Sequence, residues 1–314
     1  MPEFVLEHTQ EWLDYFGRQG HVPVPLAAGV EGAIYDLGGG LVAKVWRERR
    51  VAELERTQRF YADVAAAGLP FATPEIFSIE QANGRSVTYE RKLPGQPLQH
   101  RLDPADREIG AAAAACVFDV LRALATVPAT DSMRNLAALD ESQPLWAGAE
   151  TFSAALLGLI DRRAERFGPV IRVQLPDFDR RHAALRERLS TIEIWPDTVI
   201  HGDLFGENIL ADEQGRPLAV LDFGFLTTAG DPRFDAAVTA GIMNMYGPHA
   251  LSVTQDLIAR IAREFGYQSD VLLTYQAAYA MATSNAFASD GSDGHFAWCV
   301  AQLQRADVSE ALGL

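Results

Sequence analysis

Cysteine is scarce: Cys116 and Cys299 are the only two in 314 residues. Two thiols build neither a disulfide framework nor a four-ligand zinc site, and such usage fits a reducing compartment. Cys116 lies in an alanine-rich stretch and reads as a small buried hydrophobe. Basic charge is also short, with 27 Lys and Arg against 42 Asp and Glu and a formal net charge of −15. That balance argues against a nucleic-acid partner, which needs a basic face. It suits a cationic substrate or serves solubility alone. No uninterrupted apolar run of about 18 residues is present, so no bilayer span is expected. The N-terminus lacks a basic segment followed by an apolar one, so no signal peptide is expected either. These absences point to a soluble, cytoplasmic protein with no membrane and no obligate protein partner. Lysine is rarest of the charged types, with only Lys44 and Lys92. A lysine kept against that bias marks a place where a compact ammonium is wanted and a planar guanidinium does not serve.

What is present is an ordinary globular composition, 48% hydrophobic and 22% charged, at a length that holds one large domain or two modest ones. Roughly 20–99 reads as strand-rich with one helix. Strands are expected at 22–25, 34–37, 41–46, 75–79 and 86–89, the last two joined through Asn83-Gly84, a strong hairpin signal. A helical run over 49–67 carries Val51, Leu54, Tyr61 and Val64 near 3.6 spacing, with Gly68 suited to end it. Glu90 to Gly95 has the turn chemistry of a connector. Helices then dominate, expected at 103–125 behind Asp103-Pro104, then at 150–167, 178–190, 233–245, 251–265, 270–288 and 295–311, with a short hairpin at 209–211 and 218–221. The expected class is α+β and bilobal. An N-terminal lobe over 1–92 holds a nucleotide-binding sheet with one helix, and a helical C-terminal lobe over 93–314 carries the chemistry.

The most informative stretch is His201-Gly202-Asp203-Leu204-Phe205-Gly206-Glu207-Asn208-Ile209-Leu210, followed by Asp222-Phe223-Gly224. A lone carboxylate, an asparagine five positions on and a second aspartate are what phosphoryl transfer needs, since the protein must position a hydroxyl and hold metal against the phosphates. The pattern assigns Asp203 to the acceptor proton and Asn208 and Asp222 to Mg²⁺. Leu41-Val42-Ala43-Lys44-Val45-Trp46 reads as a strand bearing a phosphate lysine and is similar to the V-A-I-K strand of kinases.

Together these motifs resemble the aminoglycoside phosphotransferase-like (choline and antibiotic) kinases. His201 to Leu210 looks like the family's H-G-D-L-x-x-x-N-I-L. Asp222-Phe223-Gly224 with Gly230-Asp231-Pro232-Arg233-Phe234-Asp235 looks like its D-F-G…G-D-P-x-x-D, and Leu93-Pro94-Gly95 like its L-P-G. The resemblance implies a protein-kinase-like fold, ATP as phosphoryl donor with GTP left open, and Mg²⁺. It also implies an adenine seat on backbone groups near Arg91 and Leu93. A protein kinase fits worse, because only five residues, 225–229, separate Gly224 from Gly230, no A-P-E follows, and Gly202 replaces the arginine of H-R-D. Two features depart from the pattern. Gly29 and Gly32 are too sparse for G-x-G-x-x-G, so their loop either covers phosphates or simply turns a hairpin. The helix glutamate for Lys44 is Glu53 or Glu55, with Glu53 preferred for sharing a face with Thr57, Phe60 and Tyr61. Thr126 stands where the family often has histidine. His201 reads as a buried organiser of the loop, and Asp231 and Asp235 as helix caps and anchors.

The expected function is an ATP- and Mg²⁺-dependent phosphotransferase acting on a hydroxyl of a small, cationic acceptor, an aminoglycoside or other antibiotic. The alternatives are a metabolite kinase for a sugar, amino alcohol or amino acid, and a nucleotide-binding pseudokinase serving as an interaction module. Rings of carboxylates around the acceptor favour the antibiotic, and a few polar groups favour the metabolite. Phe225, Asp290, Asp293, Phe296 and Trp298 are candidates for the acceptor wall. The arginine-rich stretch over 162–188 reads as a solvated helix face.

Overall fold

A computed structural model of the chain describes residues 3–29 and 31–314. They fall into two compact units. The first runs to Gly95 and takes in Leu218–Leu221; the second comprises Gln96–Pro217 and Asp222–Leu314. The expected division at 92/93 lies inside the connector, whose first residues are still bonded to the sheet. Arg91 N–H donates to Glu75 O at 3.0 Å and Lys92 N–H to Gly40 O at 2.8 Å.

The first unit opens with helix α1 (Glu3–Arg18), continues through strands β1 (Val24–Ala28), β2 (Gly32–Gly38) and β3 (Leu41–Trp46), helix α2 (Val51–Ala66), and strands β4 (Ile76–Ala82) and β5 (Arg85–Arg91). All strand pairs are antiparallel, in the order β1-β2-β3-β5-β4. Alternation of side chains along a strand divides the sheet into two faces. Ala33, Tyr35, Leu37, Ala43, Val45 and Val87 point to a core closed by Trp12 and Phe16 of α1. Lys44 therefore leaves from the opposite face. Tyr15 and Tyr89 hydroxyls both donate to Glu80 Oε1, at 2.7 and 2.6 Å, and fasten α1 to β4 and β5. α1 was not anticipated, since the expected structure began near residue 20. In α2, Leu54, Thr57, Phe60, Tyr61 and Val64 are buried on one stripe. Ala72 N–H donates to Leu218 O and Ala72 O accepts from Val220 N–H, which brings 218–221 into this unit.

The second unit contains β6 (Gln96–Pro97), α3 (Ala111–Leu124), α4 (Asp131–Arg134), α5 (Phe152–Gln174), α6 (Phe178–Thr191), β7 (Thr198–Ile200) and β8 (Ile209–Ala211). Strand β9 (Pro217–Val220) crosses to the first unit. β10 (Thr228–Gly230), α7 (Pro232–Ile242), α8 (Ala250–Phe265), α9 (Ser269–Thr283), α10 (Gly294–Gln304) and α11 (Ala306–Leu312) complete the chain. α7 and α9 are buried nearly all round and form the centre, as apolar helices without a polar face must. Four expected helices change, one of them the run over 150–167, which continues through Pro169 to Gln174 as α5. The one placed from 103 starts at Ala111, where Ala113, Ala114, Cys116 and Val117 reach the core; Asp103 merely closes a turn onto Ala105 N–H. The run over 270–288 stops at Thr283, where Asn285 turns to bond Ala288 O and Ser289 O. The run over 295–311 breaks at Arg305, whose guanidinium is held by Gln276, Gln302 and Asp307.

Candidate active site

β7 is hydrogen-bonded antiparallel to β10, with Ile200 opposite Thr228, and this pair delivers the loop 201–208. Asp235, in the first turn of α7, holds the loop from below. One carboxylate oxygen accepts His201 N–H at 2.6 Å and the other accepts Gly202 N–H at 2.8 Å. The side chain is fully buried, which pushes its carboxyl up to about 6 against the pull of those two donors. His201 is buried as well. Its Nδ1 accepts from Asp203 N–H at 3.2 Å, and its carbonyl accepts from the Thr227 hydroxyl at 2.7 Å and from Gly224 N–H at 3.2 Å. Its ring lies 4.6 Å from that of Phe223.

Asp203 is thus set by its own backbone rather than by chance packing, and two expected partners converge on it. Asn208 Nδ2 donates to Asp203 O at 2.8 Å, so the amide oxygen of this buried residue is turned the other way. Asp222 sits at φ +38°, a conformation few non-glycine residues adopt. Gly224 then passes so close that a Cβ there would lie 2.4 Å from Asp203 Cβ. Glycine at 224 is what lets the D-F-G turn approach Asp203.

In the first unit, Lys44 Nζ lies 3.3 Å from Glu31 Oε2 and 3.9 Å from the centre of the Trp46 ring. Glu31 belongs to the Gly29–Gly32 loop, which is the β1–β2 hairpin turn closed by Gly29 N–H on Gly32 O at 2.9 Å; Val30 lies outside the described residues. Gly32 is required by the sheet itself, because a Cβ there would meet Val45 O at 2.0 Å. Glu53 is half-buried and Glu55 exposed. The Glu53 carboxylate is engaged by Arg50, through Nε at 2.8 Å and the backbone N–H at 3.2 Å, and by Arg49 at 3.8 Å. Of the two linker positions, Arg91 has its N–H committed to Glu75 O and its guanidinium to the Glu75 carboxylate. Leu93 lies beyond the ladder, half-buried. Lys92, on the exposed side of the linker, pairs with Asp36 at 2.5 Å.

A family model described as the phosphotransferase enzyme family matches residues 10–271. The chain belongs to that family. No curated protein matches it. Among solved structures, the macrolide 2'-phosphotransferase MphH from Brachybacterium faecium is 18% identical, with 94% of this chain and 98% of that one covered and a TM-score of 0.55. A GDP and kanamycin complex of APH(2")-IIia is 17% identical, with 95% and 98% covered and a TM-score of 0.60. The aminoglycoside phosphotransferase APH(3'')-Id from Streptomyces rimosus, in complex with ADP and streptomycin, is 16% identical, with 88% and 98% covered and a TM-score of 0.55. These likenesses give the protein-kinase-like α+β fold.

Packing in this phosphotransferase corrects one expected role. Asp231 does cap α7, accepting from Arg233 N–H at 2.9 Å. Asp235 does not cap; it anchors the loop 201–208, a role visible only once α7 is packed under β7. The Asp231 carboxylate also takes the buried Arg233 guanidinium and the Tyr275 hydroxyl, at 2.6 and 2.8 Å. Of the arginines over 162–188, Arg162, Arg166, Arg172, Arg180 and Arg186 lie on the expected solvated face, while Arg163 and Arg181 turn inward, and most are ion-paired. Arg162 pairs with Glu141, Arg163 and Arg166 with Asp140, Arg172 with Asp179, Arg181 with Asp177, Arg186 with Asp161 and Arg188 with Asp270. Among the described residues no helix is long and apolar enough to cross a membrane.

Proposed function

We propose that the protein transfers the γ-phosphoryl group of ATP to a hydroxyl of a small molecule, an antibiotic being the leading acceptor class. The observation that carries the reading is the loop in which Asp235 and His201 fix the backbone of Asp203 while Asn208 and the D-F-G turn converge on it. Asp203 is the residue that orients the acceptor hydroxyl and takes its proton. In a loose transition state its main work is orientation, with proton removal late. Lys44 is assigned to the phosphate oxygens, which replace Glu31 on its ammonium. Glu53 is assigned to supporting Lys44, the Gly29–Gly32 loop to covering the phosphates, and the linker near Arg91 and Leu93 to the base, with the N–H of Leu93 rather than that of Arg91 as donor.

Asn208 and Asp222 fit a magnesium ion. Both offer hard oxygen donors, and the Asn208 amide nitrogen is already spent on Asp203 O, which leaves its oxygen as the ligand. Among the described residues no cage of three or more His, Cys, Asp or Glu is present, and Mg²⁺ seldom uses one, keeping waters and phosphate oxygens instead. Bound with the nucleotide, Mg²⁺ supplies neutralisation of the β- and γ-phosphate charge.

Support for a small acceptor comes from the short stretch between Gly224 and Gly230, which leaves no peptide-docking loop, and from the relatives, whose names carry a macrolide, kanamycin and streptomycin. The test is acceptor-dependent release of ADP from Mg·ATP over a panel of macrolides, aminoglycosides, sugars and amino alcohols. ATP bound tightly with no turnover on any of them would overturn the reading in favour of a binding module.

A further inference from the structure

Beside Asp203 the second unit carries a run of rings that the transfer step does not use. Gly224 touches Asp203, and Phe225 follows it directly. The Phe225 ring lies 5.9 Å from Phe287, Phe287 lies 5.2 Å from His295, and His295 stacks on Trp298 at 5.7 Å and meets Tyr279 edge-on at 6.3 Å. The run closes on its starting point, because burial and then the Asp203 charge hold the Tyr279 hydroxyl well above its ordinary range. Phe287 is 63% exposed and Tyr246 67% exposed. Large rings left open beside a catalytic carboxylate mark a binding surface.

Charge around this surface is sparse. Asp293 caps α10 through Oδ1, which accepts Phe296 N–H at 2.8 Å. Its Oδ2 is buried and without a hydrogen-bond partner among the described residues, as is Trp298 Nε1. A buried carboxylate oxygen left unpaired is costly unless something cationic or protic arrives to meet it. The Asp293 charge reaches the rings: it acts on His295 behind burial, and on Tyr246 behind burial and Cys299. The other carboxylates nearby are engaged. Asp290 is exposed and turned onto Ser292 N–H. Leu139 N–H bonds Phe225 O, and next to it Asp140 and Glu141 are taken by Arg163, Arg166 and Arg162.

We propose that this surface seats the acceptor, and that the acceptor is an alcohol with an apolar or aromatic body and a single amino group, the body lying on Phe225 and Phe287 and the amine on Asp293. The inference rests on the phosphotransferase reading and narrows it. A polyamino sugar would bring several ammonium groups where the one carboxylate oxygen buried without a partner among the described residues is that of Asp293, and would cover the rings with hydroxyls. A single ammonium gains both the carboxylate and the ring faces.

The test compares acceptor-dependent ADP release for three probe sets: single-amine apolar alcohols (2-amino-1-phenylethanol and a macrolide bearing one amine), polyamino sugars (kanamycin and streptomycin), and the amine-free 1-phenylethanol and glucose. Two variants run beside the unaltered protein. Asp293→Asn keeps the α10 cap, since Asn caps as well as Asp, and removes only the charge; Phe287→Ala alters an exposed ring. The first set is expected to be turned over. For it, Asp293→Asn should raise KM on the order of tenfold with kcat nearly unchanged, while any turnover of 1-phenylethanol should not respond. Phe287→Ala should raise KM for every apolar acceptor. Turnover of kanamycin or glucose that neither variant alters would overturn the acceptor assignment and leave the kinase standing. Silence from all three sets with Mg·ATP bound would overturn the phosphotransferase reading, and this inference with it.

Discussion

Lys44 shares its ammonium with Glu31, a carboxylate whose side chain is 60% exposed. An ion pair open to water contributes about 0–1 kcal/mol, so phosphate oxygens displace it readily. Glu31→Gln is therefore expected to leave ATP affinity unchanged or raise it by up to about fivefold, measured by calorimetric titration; a clear loss of affinity would show Glu31 to be a nucleotide ligand instead. Lys44→Arg should weaken binding, since the fork of a guanidinium does not reproduce a point charge. Asp235 gives the pH dependence. Its folded carboxyl, pushed up to about 6 by burial, lies above the ordinary unfolded value of about 3.9. Between about pH 4 and 6 the folded chain holds this proton more firmly than the unfolded one, so the group's contribution to stability falls as pH rises through that window and is flat above it. Activity runs the other way, because the loop needs both carboxylate oxygens as acceptors for His201 and Gly202. We expect kcat/KM to drop below a pH of about 6, and a profile flat down to about pH 4.5 would contradict that role.

At the scale of elements, the catalytic loop is a backbone held by one side chain of α7 and crowded by one glycine. Asp235→Asn turns an amide N–H toward one of two backbone donors, and should cost roughly 2–3 kcal/mol of unfolding free energy along with most of the turnover. Equilibrium denaturation and kcat check the two halves of that statement. Gly224→Ala puts a methyl 2.4 Å from Asp203 Cβ; we expect a folded protein with kcat down by about 10²-fold, the order of what a 1 Å misplacement does to a reacting group. The sequence revealed these elements unevenly. Asn83-Gly84 announced its hairpin, and both residues do take positive φ, 48° and 75°. Lys44, Asp203, Asn208 and Asp222 stood out because the proposed chemistry requires fixed types at fixed spacing. Asp235 was read as an anchor of its own helix, since nothing in a local pattern says that its partners lie 33 and 34 residues upstream. The start of α3 was misplaced by Asp103-Pro104, a good local signal overridden because 103–108 has nothing to bury, whereas Ala113 to Val117 does.

In the molecule as a whole, the fold class followed from counting strands before Gly95 and helices after it. The helix α1 was missed because its value lies in what Trp12 and Phe16 cover on β2 and β3, not in any motif of its own. The acceptor surface was legible only as a set of residue types. Phe225, Asp293 and Trp298 had been singled out; His295 shares α10 with Trp298, but Phe287 and Tyr279 come to them from outside that helix through tertiary packing. Folding of the two units and the chemistry are separable in experiment. Removing Mg²⁺ with a chelator should abolish turnover and leave the thermal unfolding of the nucleotide-free protein where it was, because no side chain of the fold depends on the ion; a fall in the transition temperature would indicate a structural metal. The central claim is that Asp203 performs phosphoryl transfer from Mg·ATP to a small alcohol. The most direct measurement is acceptor-dependent ADP release by the unaltered protein and by Asp203→Ala, with ATP binding measured on both. Turnover that falls by about 10²–10⁴-fold in the variant, with ATP affinity preserved, is the predicted result, and turnover that survives the loss of Asp203 would contradict it.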